Sequence, residues 1–241
     1  MFKALLVQRW YNLSDPGLEE AIRDRLSFQR FLGLSFQDPV PDETTFCRFR
    51  GALAQTGLAE RLLEVLEAQL TAKGLLVKRG TLVDATLIQA HSQPPTPEKP
   101  SQDQDATWVA RPRKLLRRLK LTAGKCHETQ MFPEMVLGDE DAVFADKAYD
   151  QDCRRSEMRR RGIFCGILAQ ARKRRPLNDK QRRRNRRFSR IRAAIERVIG
   201  SLKWHYGLAR FPYVGHTRNH CHLVLVAICF NLKKMLVLQN G

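Results

Sequence analysis

The segment LLVKRGTLVDATLIQA (residues 75–90) switches the chain from helical to extended patterning. Two short apolar runs flank Arg79-Gly80, and that pattern predicts a hairpin or strand pair. Asp84 stands inside the second run, with apolar neighbours on both sides. A carboxylate in that setting is costly to desolvate unless a cation compensates it. As a bland alternative, Asp84 is a turn residue of the hairpin.

N-terminal to this segment, residues 1–74 read as helices. Ser14-Asp15-Pro16 is a helix start, with a capping side chain followed by a proline in the first turn. Leu18, Ala21, Ile22 and Leu26 then form an apolar stripe. Asp42-Glu43-Thr44-Thr45 opens a further helix, with Phe46, Phe49 and Leu53 inward and Arg48 and Arg50 outward. Leu58–Lys73 is the clearest amphipathic helix, ended by Gly74. Ser14–Gln55 also permits a helix-turn-helix reading, with Thr44, Thr45, Arg48 and Arg50 offered to a major groove.

C-terminal to it, His91–Arg113 is rich in Pro, Gln, Ser and Asp and reads as a long loop. Leu115–Thr122 is the one strand expected in the interval that follows Asp84, which predicts a sheet short of a hairpin. Ala142–Ala145 is a stronger strand and ends at Asp146. A helix at Asp150–Arg161, an apolar strand at Gly162–Leu168, a helix from Asn178-Asp179 through Glu196 to Trp204, and an apolar helix at His216–Leu238 complete the pattern. Strands interleaved with helices predict an α/β fold behind a helical N-terminal region.

Of the 241 residues, 43 are Lys or Arg and 25 are Asp or Glu, a net charge of +18. The charge is segregated. Residues 1–100 carry 12 basic and 12 acidic side chains, whereas residues 101–241 carry 31 and 13. A basic half facing a polyanion explains this better than a uniform solubilising charge. Arg172–Arg192 alone holds twelve Lys or Arg against the single acid Asp179. Its density favours phosphate contact over a merely solvated helix face, with Arg182, Arg183, Arg184, Arg186 and Arg187 at its centre. No run of 18 apolar residues exists, so no spanning helix is expected. The six cysteines form no C-x-x-C pair and read as reduced thiols of a cytosolic protein.

Asp84, Asp146 and Glu196 form the candidate catalytic set. Asp146 closes the run AVFA, and Glu196 lies in the apolar stretch AAIERVIG of a helix otherwise crowded with arginine. Arginine partners are one way to stabilise such acids; Glu196 is spaced to pair with Arg192. Divalent metal is another, since hard cations take carboxylate, phosphate and water oxygens. Other features are weaker. Trp204 and Tyr206 beside basic residues suit base stacking or packing under the last helix. His216, His220 and His222 with Cys221 invite a zinc reading, but no fourth ligand is evident.

The chain resembles bacterial insertion-sequence transposases of the DDE class, in the branch named for insertion sequence five. LVDATLIQAH looks like the first-aspartate block and DAVFADKAYD like the second. RIRAAIERVIGSLKWHYG looks like the glutamate block, whose pattern Tyr-x2-Arg-x3-Glu-x6-Lys falls on Arg192, Glu196 and Lys203. Ser189 stands at the tyrosine position. FKALLVQRWYNLSDPGLEEAIRDRLSFQRFLGL and VPDETTFCRFRGAL resemble the family's helical N-terminal region, which in relatives typically carries more chain.

The resemblance implies a helical region at 1–74 and a ribonuclease H-like catalytic domain at 75–241, a mixed sheet flanked by helices. It implies that Asp84, Asp146 and Glu196 hold two Mg²⁺ ions, with Mn²⁺ as substitute. Double-stranded DNA would be the partner, at transposon ends and target, contacted by the arginine cluster with Arg192 and Lys203. A homo-oligomer would synapse two ends in the bacterial cytoplasm, at the nucleoid, without any membrane. The alternative is a truncated, catalytically inactive DNA-binding remnant of such a transposase.

Overall fold

A computed structural model describes residues 1–75, 81–88, 104–110, 115–123, 128–173 and 176–239. Five helices come first: α1 (Phe2–Tyr11), α2 (Asp15–Asp24), α3 (Leu26–Leu32), α4 (Glu43–Thr56) and α5 (Leu58–Ala72). The capping signals act as expected. Ser14 Oγ accepts from the Gly17 amide and Asp42 Oδ1 from the Thr45 amide. Gly57, at φ 65°, makes the left-handed link between α4 and α5.

Five strands follow in one mixed sheet: β1 (Thr81–Ile88), β2 (Gln104–Ala110), β3 (Leu116–Ala123), β4 (Ala142–Phe144) and β5 (Phe164–Cys165), in the spatial order β3-β2-β1-β4-β5. The first three are antiparallel neighbours, while β4 and β5 run parallel to β1. Strand β2 lies within the stretch expected to be a long loop. The sheet is therefore not short of a hairpin: β2 and β3 both stand between Asp84 and Asp146. Strand β1 pairs with β2 on one side and β4 on the other; the first run of the expected hairpin falls on residues 76–80, which with 89–103 lie outside the described ones.

Between and beyond the strands come α6 (Phe132–Met135), α7 (Asp152–Arg160), α8 (Asp179–His205) and α9 (His216–Gln239). A reciprocal capping box between Asn178 and Gln181 opens α8. Alternation along β1 separates two cores. Leu82 and Ile88 face the large one, with Phe188, Ile195, Val198 and Leu202 of α8 and Leu223–Phe230 of α9. Val83 faces the smaller one, with Phe132, Met158 and Ile163.

The large core also takes Leu5, Leu6, Leu53, Leu63, Leu66 and Leu70 from the N-terminal helices. Helix α9 makes this possible by packing on α1, α4, α5 and β3. By length and composition α9 is apolar enough to cross a membrane. Its residues Cys221–Asn231 are instead buried in protein, so its all-round hydrophobicity is that of a central core helix.

Candidate active site

The sheet brings Asp84 and Asp146 together, and register explains how. In the parallel pair β1/β4, Leu82 lies opposite Phe144. Each aspartate is two residues beyond that pair on its own chain, so both point to the same sheet face. That face is the one α8 covers: Phe144 meets Phe188 edge-on, with ring centroids 5.5 Å apart.

One guanidinium ties the acids together. Arg192, 7% exposed, donates from Nη2 to Asp84 Oδ1 at 3.3 Å and from Nη1 to Asp146 Oδ1 at 3.2 Å. The inward stripe of α8 runs Phe188, Arg192, Ile195, Val198, Leu202. Arg192 is thus carried into the protein by the same periodicity that buries its apolar neighbours.

Glu196 behaves otherwise. It is exposed on the flank of that stripe, one turn beyond Arg192, which corrects the reading of it as an acid in a buried setting. Arg192 pairs with the two aspartates and not with Glu196. Lys203, about two turns further, is half-buried. Among the described residues no group of three His, Cys, Asp or Glu side chains comes within metal-binding reach. The donor set of Asp84 and Asp146 still fits one hard divalent cation: two carboxylates from neighbouring strands converge on a point that already holds a positive group.

Beside the acids lies the basic surface. Arg182, Arg183, Arg186, Arg187 and Arg190 are exposed on α8 and make no ion pair among the described residues. Arg184 turns partly inward and lays its guanidinium over the Phe188 ring at 5.9 Å. Trp204 is 88% exposed, whereas Tyr206 is in the core against Phe230, so the two neighbouring aromatics have opposite roles. The histidines of α9 do not assemble a zinc site. His216 Nε2 donates to the Leu121 carbonyl at 2.7 Å, and His220 faces Glu60 at 3.2 Å.

Arg50, expected to point outward, points inward. It is 5% exposed and makes a two-pronged ion pair with Asp15 at 2.8 and 2.6 Å. It joins α4 to α2, and so is removed from any groove-reading face. The signal is in the spacing: Phe46, Arg50 and Leu53 recur at four and three residues and share one helix stripe.

A mixed sheet that places one carboxylate inside β1 and a second just past β4, beside an arginine-lined helix, is an arrangement suited to a polyanion. The sequence pattern of the family described as Transposase DDE domain matches residues 76–232, more than half of the chain, and the chain belongs to that family. Residues 1–52 match a second pattern, described as Transposase domain (DUF772).

Proposed function

We propose that this DNA transposase has a ribonuclease H-like core, belongs to the branch named for insertion sequence five, and cuts and joins strands at Asp84 and Asp146. The observation that carries the reading is the single guanidinium shared by those two acids. The sheet order, three antiparallel strands followed by two parallel ones, supports the ribonuclease H-like assignment. Asp84 and Asp146 would hold a Mg²⁺ ion, which when bound would activate a water or 3′-hydroxyl and stabilise the leaving oxygen of a phosphodiester; the resemblance adds Glu196 and a second ion, for which Glu196 would have to turn toward the pair.

The chain's own residues supply the rest. Arg192 balances the paired carboxylates and keeps a guanidinium where a scissile phosphate arrives. The exposed arginines of α8 hold the duplex by its backbone, which supplies affinity without sequence readout. Hydrolysis frees a 3′-hydroxyl at each transposon end; that hydroxyl then attacks a target phosphodiester, forming a new O–P bond as the target strand's own 3′-oxygen leaves. Synapsis of two ends calls for a homo-oligomer, working at the nucleoid in the cytoplasm.

The test is calorimetry of Mn²⁺ binding with duplex DNA present, followed by nicking of supercoiled plasmid in Mg²⁺. Metal heat together with nicking supports the enzyme. A second reading, the inactive DNA-binding remnant, draws on the exposed position of Glu196 outside any three-ligand group among the described residues. It requires DNA binding with neither metal heat nor nicking.

The DNA surface has its own expectation. Replacing Arg182, Arg183, Arg186 and Arg187 by Gln makes the negative slope of log affinity against log salt shallower by roughly 0.9 for each phosphate that these side chains cease to neutralise. Fluorescence anisotropy over a salt series reads this directly. An unchanged slope places the duplex on another face.

A further inference from the structure

A second polar cluster is built into α1, α2, α4, α9 and the Tyr206–Tyr213 segment, none of which carries Asp84 or Asp146. It surrounds a cavity of about 340 Å³ whose wall includes Arg9, Asp15, Arg210, Tyr213 and His222. Arg9 is 8% exposed and Arg50, behind it, is 5% exposed. Among the described residues they share one carboxylate, Asp15. Both oxygens of Asp15 are taken by Arg50, and one also accepts from Gln8 Nε2 at 2.6 Å.

Arg9 is left with neutral partners. Its Nη2 donates to Gln8 Oε1 at 2.9 Å and to Tyr213 Oη at 3.1 Å, and its Nε has no partner among the described residues. His222, 2% exposed, has no partner at either ring nitrogen among the described residues. Burial, reinforced by the charges of Arg9 and Arg50, holds its pKa well below the usual histidine range. The ring is therefore neutral, with one N–H to donate.

The cluster carries two interior cations, one anion, unused donors and an adjoining space. Two buried cations that share one carboxylate are under-compensated, and a guanidinium fork is matched to oxyanions. The cavity is roomy beside the ~30 Å³ that one water occupies in the liquid. We propose that it binds a phosphate group, countering the charge of Arg9 and accepting a hydrogen bond from His222. Exposed Arg210 also lies on the cavity wall. The phosphate has two possible sources, a free ion or the 5′ end of a DNA strand.

The experiment titrates inorganic phosphate into the metal-free full chain by calorimetry, using wild type, Arg9→Met and His222→Phe. Binding to one site is expected, weakened roughly tenfold or more by Arg9→Met and less by His222→Phe, as removal of charge-assisted and neutral hydrogen bonds respectively requires. Phosphate should also raise the melting temperature of wild type and not of Arg9→Met.

If the source is DNA, free phosphate gives no heat. Wild type then prefers a 5′-phosphorylated duplex over a 5′-hydroxyl one, and Arg9→Met loses that preference. Should Arg9→Met fail to fold, His222→Phe, which keeps an aromatic ring at the position and removes the N–H, carries the same comparison. The proposal is overturned if folded variants match wild type toward both phosphate and phosphorylated duplex.

Discussion

Asp146→Asn is expected to leave a folded protein that binds duplex DNA as wild type does, yet gives no heat with Mn²⁺ and nicks plasmid slower by about three orders of magnitude. The size follows from removing a metal-anchoring charge, which withdraws several kcal/mol of transition-state stabilisation. Folding should survive because Asp146 follows β4 and its side chain is 37% exposed. Asp84→Asn should give the same loss of metal heat.

Arg192→Met moves metal binding the other way. The guanidinium bonds one oxygen of each carboxylate, so its removal takes away a competitor for a cation held by the pair. Metal heat should appear at lower Mn²⁺ concentration in Arg192→Met than in wild type, while nicking falls because the phosphate loses a positive partner. If Asp146→Asn retains full metal heat, the acid pair is not the metal site. If it retains wild-type nicking, the proposed chemistry is wrong.

How much of this is legible in the sequence depends on whether local pattern or long-range pairing sets each feature. The capped helices and the β4 strand are legible, because Ser14, Asp42 and Asn178 act within three residues of themselves. Strand β2 is not. Its residues QDATWVA follow a polar, Pro-rich stretch, and only pairing with β1 on one side and β3 on the other makes them extended.

The acid pair is half legible. Apolar runs mark Asp84 and Asp146 separately, but their convergence rests on the parallel register of Leu82 with Phe144, which no local signal encodes. Glu196 and Arg50 defeat the sequence reading for a shared reason, since it weighs charge type above helical phase. Position 192, not 196, falls on the stripe of Phe188, Ile195 and Leu202, as position 50 falls on that of Phe46 and Leu53.

Breaking the Arg50–Asp15 pair should cost the fold more than any surface change in the N-terminal helices. Arg50→Met leaves Asp15 with Gln8 as its only hydrogen-bond partner of the pair's former set, and Asp15→Asn leaves a 5% exposed guanidinium without a counter-charge. Removal of one partner from a buried pair destabilises by about 3–5 kcal/mol. The lower end is expected here, since the Asp15 side chain is 23% exposed. Arg50 also lies over the Tyr213 ring at 4.9 Å, an interaction that Met replaces only in part.

Urea unfolding of the two single variants and the double variant closes a cycle that isolates the pair from its surroundings. Its pH dependence has a fixed sign. Burial alone would push the Asp15 carboxyl up, but hydrogen bonds from Arg50 and Gln8, with the charges of Arg50 and Arg9, outweigh it and hold the group below its ordinary value of 3.8. A lowered acid contributes stability that is present above the unfolded-state value and is lost as pH falls through the folded-state value. The gap between wild type and Asp15→Asn should therefore be constant near neutrality and narrow only below about pH 4. A gap that narrows between pH 8 and 6 would assign the effect to a histidine instead, and a gap under about 1 kcal/mol at pH 7 would make the pair a surface interaction.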